Sequence, residues 1–491
     1  MREDIQEQNT LSPTIQKLNY TPGNIKAGIA HIGVGNFHRA HQAYYTHKLL
    51  NSGQGHEDWG IVGIGITKSG ATMNAHLKDQ DHLYSLTEYA ADGGIVTSLI
   101  GAIVDYIPAR ADVEKAMTQL ADPAIRIVSM TITEGGYKLD QHGKFMADDE
   151  DIVHDLQHPD SPRTAFGYIT AALRRRRESG TGPFTVLSCD NLQHNGDVTK
   201  YVFLSFAEKL DPELASWIGE NVSFPNSMVD RITPAVSEED KIRLNQDSGI
   251  EDAIPVYAED FTQWVIEDNF CAGRPEWELA GVNFVDDVSP YELLKLRFLN
   301  ASHSMLAYPA FLAGYRNVDT AMKDPVLEAY LLGFMNDDVS PMVEVPVDVN
   351  LSLYKKQLFE RFANPEVSDQ LSRLCFHGGA KIPVFILPTL LDILQQKRSP
   401  KRIAFLFAAY AHYLKNGKDD NGEAYTVDAP KITAADWQLI RHDDVLRFLS
   451  ISPFASANLD RYPDFVKQYA GYRGAIAENG ILKTLSAING L

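Results

Sequence analysis

The sequence predicts an α/β protein, with an N-terminal Rossmann-type doubly wound sheet domain and a mainly α-helical C-terminal domain. Three observations carry that reading. Short apolar runs alternate with helical patterns through the first half, as a parallel sheet with crossover helices requires. One of those runs enters a Gly-rich turn, "HIGVGNFHRAH" (31–41). From about residue 286 the strand signals thin out and amphipathic helical stretches dominate. A chain of 491 residues is too long for a single core, so two domains are expected, 1–286 and 287–491. The break lies in "DDVSP" (286–290), where Ser289 before Pro290 is a helix-start signal.

The elements follow in order. "IKAGIAHIGVG" (25–35) reads as a strand entering the turn, and "HRAHQAYYTHKLL" (38–50) as one helix leaving it. "WGIVGIGIT" (59–67), "IRIVSMTIT" (125–133) and "PFTVLSCDN" (183–191) are further strands. The last two end in polar residues, and the carboxyl ends of parallel strands are where such sheets bind ligands. The second domain is expected to hold helices over 291–314, 324–336, 351–362, 366–376, 386–397, 400–415 and 462–475.

Composition narrows the class. Apolar residues make up 44% and charged residues 22%, as in ordinary globular proteins. A net charge of −20 argues against nucleic-acid and anionic-membrane partners. The polar, acidic start "MREDIQEQNT" is unlike a signal peptide, and no apolar run is long enough to span a bilayer. Cys189, Cys271 and Cys375 lie far apart and form no CxxC, which points to a reduced, cytoplasmic chain.

The turn has the strand-to-helix context that a dinucleotide fingerprint needs. Gly33 allows the tight turn, and Gly35 lets the backbone approach a pyrophosphate at the start of the helix. His38 stands where the third glycine of GxGxxG is usual, so the motif is imperfect. Ile32, Gly33, Val34, Gly35, Asn36, Phe37, His38 and Arg39 are the expected cofactor-binding stretch. After the second strand the chain reads "TKSG" (67–70), with no carboxylate for the adenosine ribose. Lys68 and Ser69 there suit a 2′-phosphate, so NADP is open alongside NAD. The pair His38-x-x-His41 has no third ligand type clustered near it, and no metal is expected. The run "LRRRRE" (173–178) reads as a solvated helix end.

In the second domain, "KLRFLNASH" (295–303) places an amine, an amide and an imidazole on an otherwise apolar helix. With Lys295 at 0° on an ideal helix, Glu292 falls at about 60°, His303 at about 80° and Asn300 at about 140°. All four fit one wedge of about 140°. An apolar pocket would lower the lysine pKa and make it a general base near neutral pH. Asn300 would then donate to a developing alkoxide, and His303 would orient a neighbouring hydroxyl. Geometry alone leaves a snorkelling lysine open as well. "YELLK" (291–295) matches the Tyr-x-x-x-Lys pair of short-chain dehydrogenases, but it falls outside the Rossmann half and is rejected.

"GVGNFHRAH", "TITEGGY" (131–137), "SCDN" (188–191), "SFPNSMVDRITP" (223–234), "QWVIEDNF" (263–270) and "KLRFLNASH" occur in this order. Together with "ERFANP" (360–365) and "GGAKIP" (378–383), they resemble the polyol-specific long-chain dehydrogenases over essentially the full length. The resemblance implies metal-independent NAD(P)-dependent oxidation of a secondary alcohol in an interdomain cleft. D-mannitol to D-fructose is the foremost reaction, with arabinitol, sorbitol or a hexuronate such as fructuronate as rivals. It implies Lys295 as the base, Asn191 and Asn300 as the oxyanion site, and His303 as a substrate-positioning residue. Asp230, Arg373, Lys381 and Glu292 would line the substrate site, and Glu134 and Val229 would lie near the nicotinamide. Family members are often monomeric, and a monomer with a small-molecule polyol or ketose as partner is expected. A non-catalytic nucleotide sensor is the competing class, but it would have no use for the lysine base.

Overall fold

The computed structural model describes residues 14–490 apart from 54, 141 and 368. The start "MREDIQEQNT" and the signal-peptide expectation attached to it lie outside these residues. The chain divides into two compact units, Met1–Ser289 and Pro290–Leu491.

Five parallel strands form the main sheet of the first unit. They are β1 (Ala27–Ile32), β2 (Gly60–Ile64), β3 (Ile103–Ile107), β4 (Ile127–Met130) and β5 (Thr185–Ser188). Their spatial order is β3-β2-β1-β4-β5, the order of a dinucleotide-binding sheet, and it reverses direction between β1 and β4. The register sets Ile107, Ile64, Ile32, Met130 and Ser188 side by side. Every loop leaving the carboxyl ends therefore starts from one edge.

Alternate strand residues serve two separate cores, which is what double winding means physically. Ile32, Ile64, Met130 and Val186 point into one, packed under helices Val113–Ala121, Ala165–Glu178 and Asn195–Leu210. Ile29, Ile61, Ile127 and Leu187 point into the other, with Tyr45 and Leu49 of helix Gln42–Ser52 and the buried Trp264 and Trp277.

Two smaller sheets have no counterpart in the expected βαβ alternation. One pairs Tyr84–Tyr89 antiparallel with Ile95–Ile100, flanked by Thr14–Gln16 and Val256–Glu259. The other runs Asn283–Val285, Gln263–Glu267, Ser227–Asp230. The expected single helix after the turn is also broken. Asn36–Ala40 and Gln42–Ser52 are separated at His41, whose φ of −126° and ψ of −89° are not helical.

Among the described residues of the second unit there is no strand. Helix Leu351–Phe362 matches its predicted bounds, with Asn350 accepting the Leu353 N–H at 3.0 Å as N-cap. Lys401–Asn416 is buried almost all round and forms the centre of the unit. The stretch 366–376 shortens to Leu371–Cys375, because Asn364 turns the chain by accepting the Glu366 N–H at 3.1 Å. The helix expected over 291–314 has three parts: α-helix Ser289–Lys295, π-helix Leu296–Asn300 and α-helix Ala301–Leu312. Among the described residues no single helix is long and apolar enough to cross a membrane.

Candidate functional site

The Gly turn is built for a backbone approach. Gly33 has φ +97°, a region that L side chains rarely adopt, and a Cβ there would lie 2.1 Å from the Thr131 carbonyl oxygen. Gly35 is the opposite case. A Cβ on it would meet nothing nearer than the Gly33 oxygen at 4.0 Å, so space is left over the turn. These two glycines fit a dinucleotide pyrophosphate. The break at His41 limits the first helix to five residues, so the cradle is the turn's own amides more than a long helix dipole.

The structure also explains the missing third glycine. Its place lies where helix and strand pack closely, and here His38 stacks on His31 of β1, with ring centroids 3.4 Å apart at 14°. Both imidazoles are buried, and burial holds the His31 pKa down at about 3 and that of His38 well below its ordinary value. His31 ties the turn to the sheet. Its Nε2 lies 3.2 Å from the Gly33 oxygen and 3.1 Å from Thr131 Oγ1, and its Nδ1 lies 2.8 Å from Ser129 Oγ.

Not every side chain of the expected cofactor stretch faces outward. Ile32, Val34 and Val229 are buried in the apolar cores, which leaves their backbone for a ligand. Arg39 is 3% exposed, with its guanidinium donating to the Ile254 oxygen and, at 2.8 Å, to Asn36 Oδ1. It is thus a strut beneath the turn. Phe37 stacks on His41 at 4.9 Å. Lys68 and Ser69 are exposed past the end of β2, where Thr67 Oγ1 and Ser69 Oγ are 2.9 Å apart.

The loops after β4 and β5 meet through a carboxylate. Asp190 accepts from Ile132 N at 3.0 Å, Thr133 N at 2.8 Å and the Tyr137 hydroxyl at 2.8 Å. Burial pushes its carboxyl up, and these three bonds work against that shift. Asn191 follows it and is exposed, as is Glu134 in the helical turn Thr133–Gly136. Asn195 supports the far side. Fully buried, it donates to the oxygens of Asp190 at 3.0 Å and Ser227 at 2.8 Å.

Asp230 closes strand Ser227–Asp230 and is 4% exposed. The next residue escaped sequence reasoning. Arg231 donates to the Ala40 oxygen at 2.6 Å, to the Glu259 oxygen at 3.0 Å and to the Glu88 carboxylate. An arginine inside the "SFPNSMVDRITP" motif was the available clue, because a buried arginine must find partners. Through Ala40, and through the Asn36–Pro234 bond at 3.3 Å, the "MVDRITP" segment braces the Gly turn.

In the second unit, Glu292 and Lys295 are buried at 5% and 8% exposure, and Asn300 and His303 are partly buried. The π segment between them widens one turn by about a residue, which shifts the downstream phase by about 100°. His303 moves from about 80° to about −20°, and Asn300 from about 140° to about 40°. The wedge that holds all four narrows to about 80°, so the irregularity brings the polar groups onto one face. The His303 ring lies 4.4 Å from that of Phe362. The Tyr291 hydroxyl donates to Asp348 at 2.7 Å.

Arg373 and Lys381 lie together. The Lys381 ammonium donates to the backbone oxygens of Arg373 at 3.3 Å and Leu374 at 3.2 Å. Arg373 pairs with Asp369 one turn away, and that bond holds its pKa up. Gly378 lets this segment pack against the 301–312 helix, since a Cβ there would lie 2.0 Å from the Tyr308 hydroxyl. That hydroxyl donates to the Cys375 oxygen at 3.1 Å. Among the described residues, no group of three or more His, Cys, Asp or Glu is placed to hold a metal ion.

The comparisons with known proteins cover both units. A family model described as the mannitol dehydrogenase Rossmann domain matches residues 27–279, and one described as the mannitol dehydrogenase C-terminal domain matches 287–475. The polyol:NADP oxidoreductase of Gluconobacter oxydans is 44% identical, over 97% of this chain and 98% of its own. The mannitol 2-dehydrogenase of Aspergillus oryzae is 41% identical, over 94% and 93%. A substrate-free D-sorbitol dehydrogenase structure superposes with a TM-score of 0.90 at 43% identity, over 96% and 97%. The Pseudomonas fluorescens mannitol 2-dehydrogenase ternary complex with NAD and D-mannitol gives 0.85 at 44% identity, over 97% of both chains. With both domains matched in order and such relatives aligned nearly end to end, the chain belongs to the mannitol dehydrogenase family and is an NAD(P)-dependent oxidoreductase of secondary alcohols.

Proposed function

We propose that the protein interconverts D-mannitol and D-fructose, with Lys295 as general base and NAD or NADP as hydride carrier. The observation that carries the reading is the buried Lys295 on an apolar helix, with Asn300 and His303 turned onto its face by the π segment. Relatives bearing the names mannitol 2-dehydrogenase and D-sorbitol dehydrogenase support the polyol class.

The roles follow from the chemistry of each group. A bound nicotinamide would supply the acceptor for the hydride of the carbinol carbon. Lys295, in its neutral form, takes the hydroxyl proton. Asn191 and Asn300 donate to the oxygen as it gains charge, and fixed amides do so with little reorganisation. His303 orients the substrate, and Glu292, three residues before Lys295, passes the proton on. Asp230, Glu134 and Lys381 serve binding and orientation. The expected state is a monomer, which light scattering would check.

A hexuronate needs a cation for its carboxylate. Arg373 has its charge met by Asp369, while Lys381, bonded to two neutral backbone oxygens, keeps its own, so the substrate panel separates a neutral polyol from a uronate. Reduced-nicotinamide absorbance, followed with mannitol, sorbitol, arabinitol, fructose and fructuronate and each cofactor, tests the reading. Mannitol and fructose should give the highest kcat/KM. Faster turnover of fructuronate would overturn the substrate, and no turnover with any of them would overturn the reaction.

For the cofactor, Lys68→Glu is expected to lower kcat/KM with NADP by about tenfold or more, the worth of a charge-assisted hydrogen bond. The value with NAD should change by less than about twofold, since no 2′-phosphate is present to sense the charge. An equal loss with both would show that Lys68 does not touch the phosphate.

A further inference from the structure

We propose that Asp190 is a positioning residue for this reaction: it clamps the turn after β4 and thereby sets Glu134 and Asn191 in their working places. The inference rests on the role given above to Asn191, and four observations support it.

The first is strain. Thr133 has φ +60°, a conformation that a β-branched residue adopts only when its surroundings enforce it. The second is the clamp. Asp190 accepts the N–H groups of Ile132 and Thr133, one on each carboxylate oxygen, so it grips the strained residue and its predecessor. The third is redundancy. The Tyr137 hydroxyl bridges Asp190 at 2.8 Å and Ser188 Oγ at 2.6 Å, locking the far end of the turn to the end of β5. The fourth is place. Met130 and Ser188 are neighbours in register, so the clamp spans the carboxyl ends of two adjacent strands, with Glu134 beyond one and Asn191 beyond the other.

A carboxylate suits this task and an amide does not. Two N–H donors and a hydroxyl converge on Asp190, and an asparagine would turn its own NH2 toward one of them. Asp190→Asn therefore keeps the shape and breaks one side of the clamp. Tyr137→Phe removes only the hydroxyl bridge.

The test measures both variants, with Asn191→Ala beside them, in D-fructose reduction and in NAD(P)H binding by fluorescence. Asp190→Asn is expected to lower kcat about 10- to 100-fold, as displacement of catalytic groups does, and Tyr137→Phe to lower it less. The NAD(P)H Kd is measured beside kcat because Glu134 would lie near the nicotinamide and Thr131 touches the Gly turn. The loss in kcat is expected to exceed the loss in affinity. A merely structural role would instead lower the melting temperature and the fraction of active enzyme, with kcat per active site unchanged.

Hydrogen exchange of residues 131–137 gives a reading independent of turnover, with faster exchange expected in both variants. Unchanged exchange, or an unchanged kcat per active site, overturns the proposal. If Asp190→Asn does not fold, Tyr137→Phe decides by the same two measures. If Asn191→Ala cripples turnover while both other variants are fully active, the clamp fails and the role of Asn191 stands. If Asn191→Ala is fully active, that role itself fails.

Discussion

Lys295→Ala is expected to lower kcat by about 10²–10⁴-fold, the usual contribution of a positioned general base. That equals about 3–5 kcal/mol of transition-state stabilisation. Fold and cofactor affinity should survive, because Lys295 lies in the second unit and the Gly turn in the first. Stopped-flow NAD(P)H binding and single-turnover rates separate the two effects. Small primary amines should restore part of the rate by occupying the space of the lost side chain. If Tyr291→Phe were the inactivating change and Lys295→Ala nearly silent, a tyrosine mechanism would replace this one. The Tyr291 hydroxyl is bonded to Asp348, an arrangement suited to holding the helix start.

Gly33→Ala should cost both stability and cofactor affinity, whereas Gly35→Ala should cost affinity alone. At Gly33 a methyl group must displace the Thr131 carbonyl from 2.1 Å and also adopt φ +97°. Left-handed backbone costs about 1–2 kcal/mol for a residue with a Cβ, and overpacking about 1–3 kcal/mol more. The melting temperature should fall by several degrees and the cofactor Kd rise about tenfold or more, since the turn that holds the amides must move. At Gly35, φ −97° is open to alanine and no atom lies within 4.0 Å except the Gly33 oxygen, so stability should hold. Its methyl group would stand in the space left for the pyrophosphate. Calorimetry with the cofactor and thermal melts of both variants separate these cases. Unchanged affinity in Gly35→Ala would show that the pyrophosphate does not approach there.

Much of this was legible in the residues. Strands buried on both faces read as continuous apolar runs, so β1, β2, β4 and β5 and their polar ends were readable. The Gly33 turn was legible because its requirement is local. The Tyr84–Ile100 hairpin was not, since its pairing with Thr14–Gln16 and Val256–Glu259 is settled by contacts far along the chain. The clamp at Asp190 was not legible, because nothing in sequence brings Thr133 to it. Arg231 and His31 were missed for the same reason, as their bonds cross 191 and 98–100 positions. Lys295, Asn300 and His303 were singled out as candidates on an ideal helix, and the π segment changes their phase. Hydrophobic periodicity does not report a π segment, since Leu296, Phe298 and Leu299 suit either ladder.

That segment constrains how this helix tolerates change in length. A substitution within Leu296–Asn300 that keeps the π segment leaves the count of residues intact and the downstream phase unchanged. Deleting a single residue there would let the ordinary helical ladder close. Asn300 would then stand four residues and His303 seven residues after Lys295, at about 40° and about −20°, the phase they already have, so the polar face would be kept. The change that would turn Asn300 and His303 by about 100° is the loss of the π segment at unchanged length. A variant library built on this helix can therefore shorten it by one residue there but must not straighten it at full length.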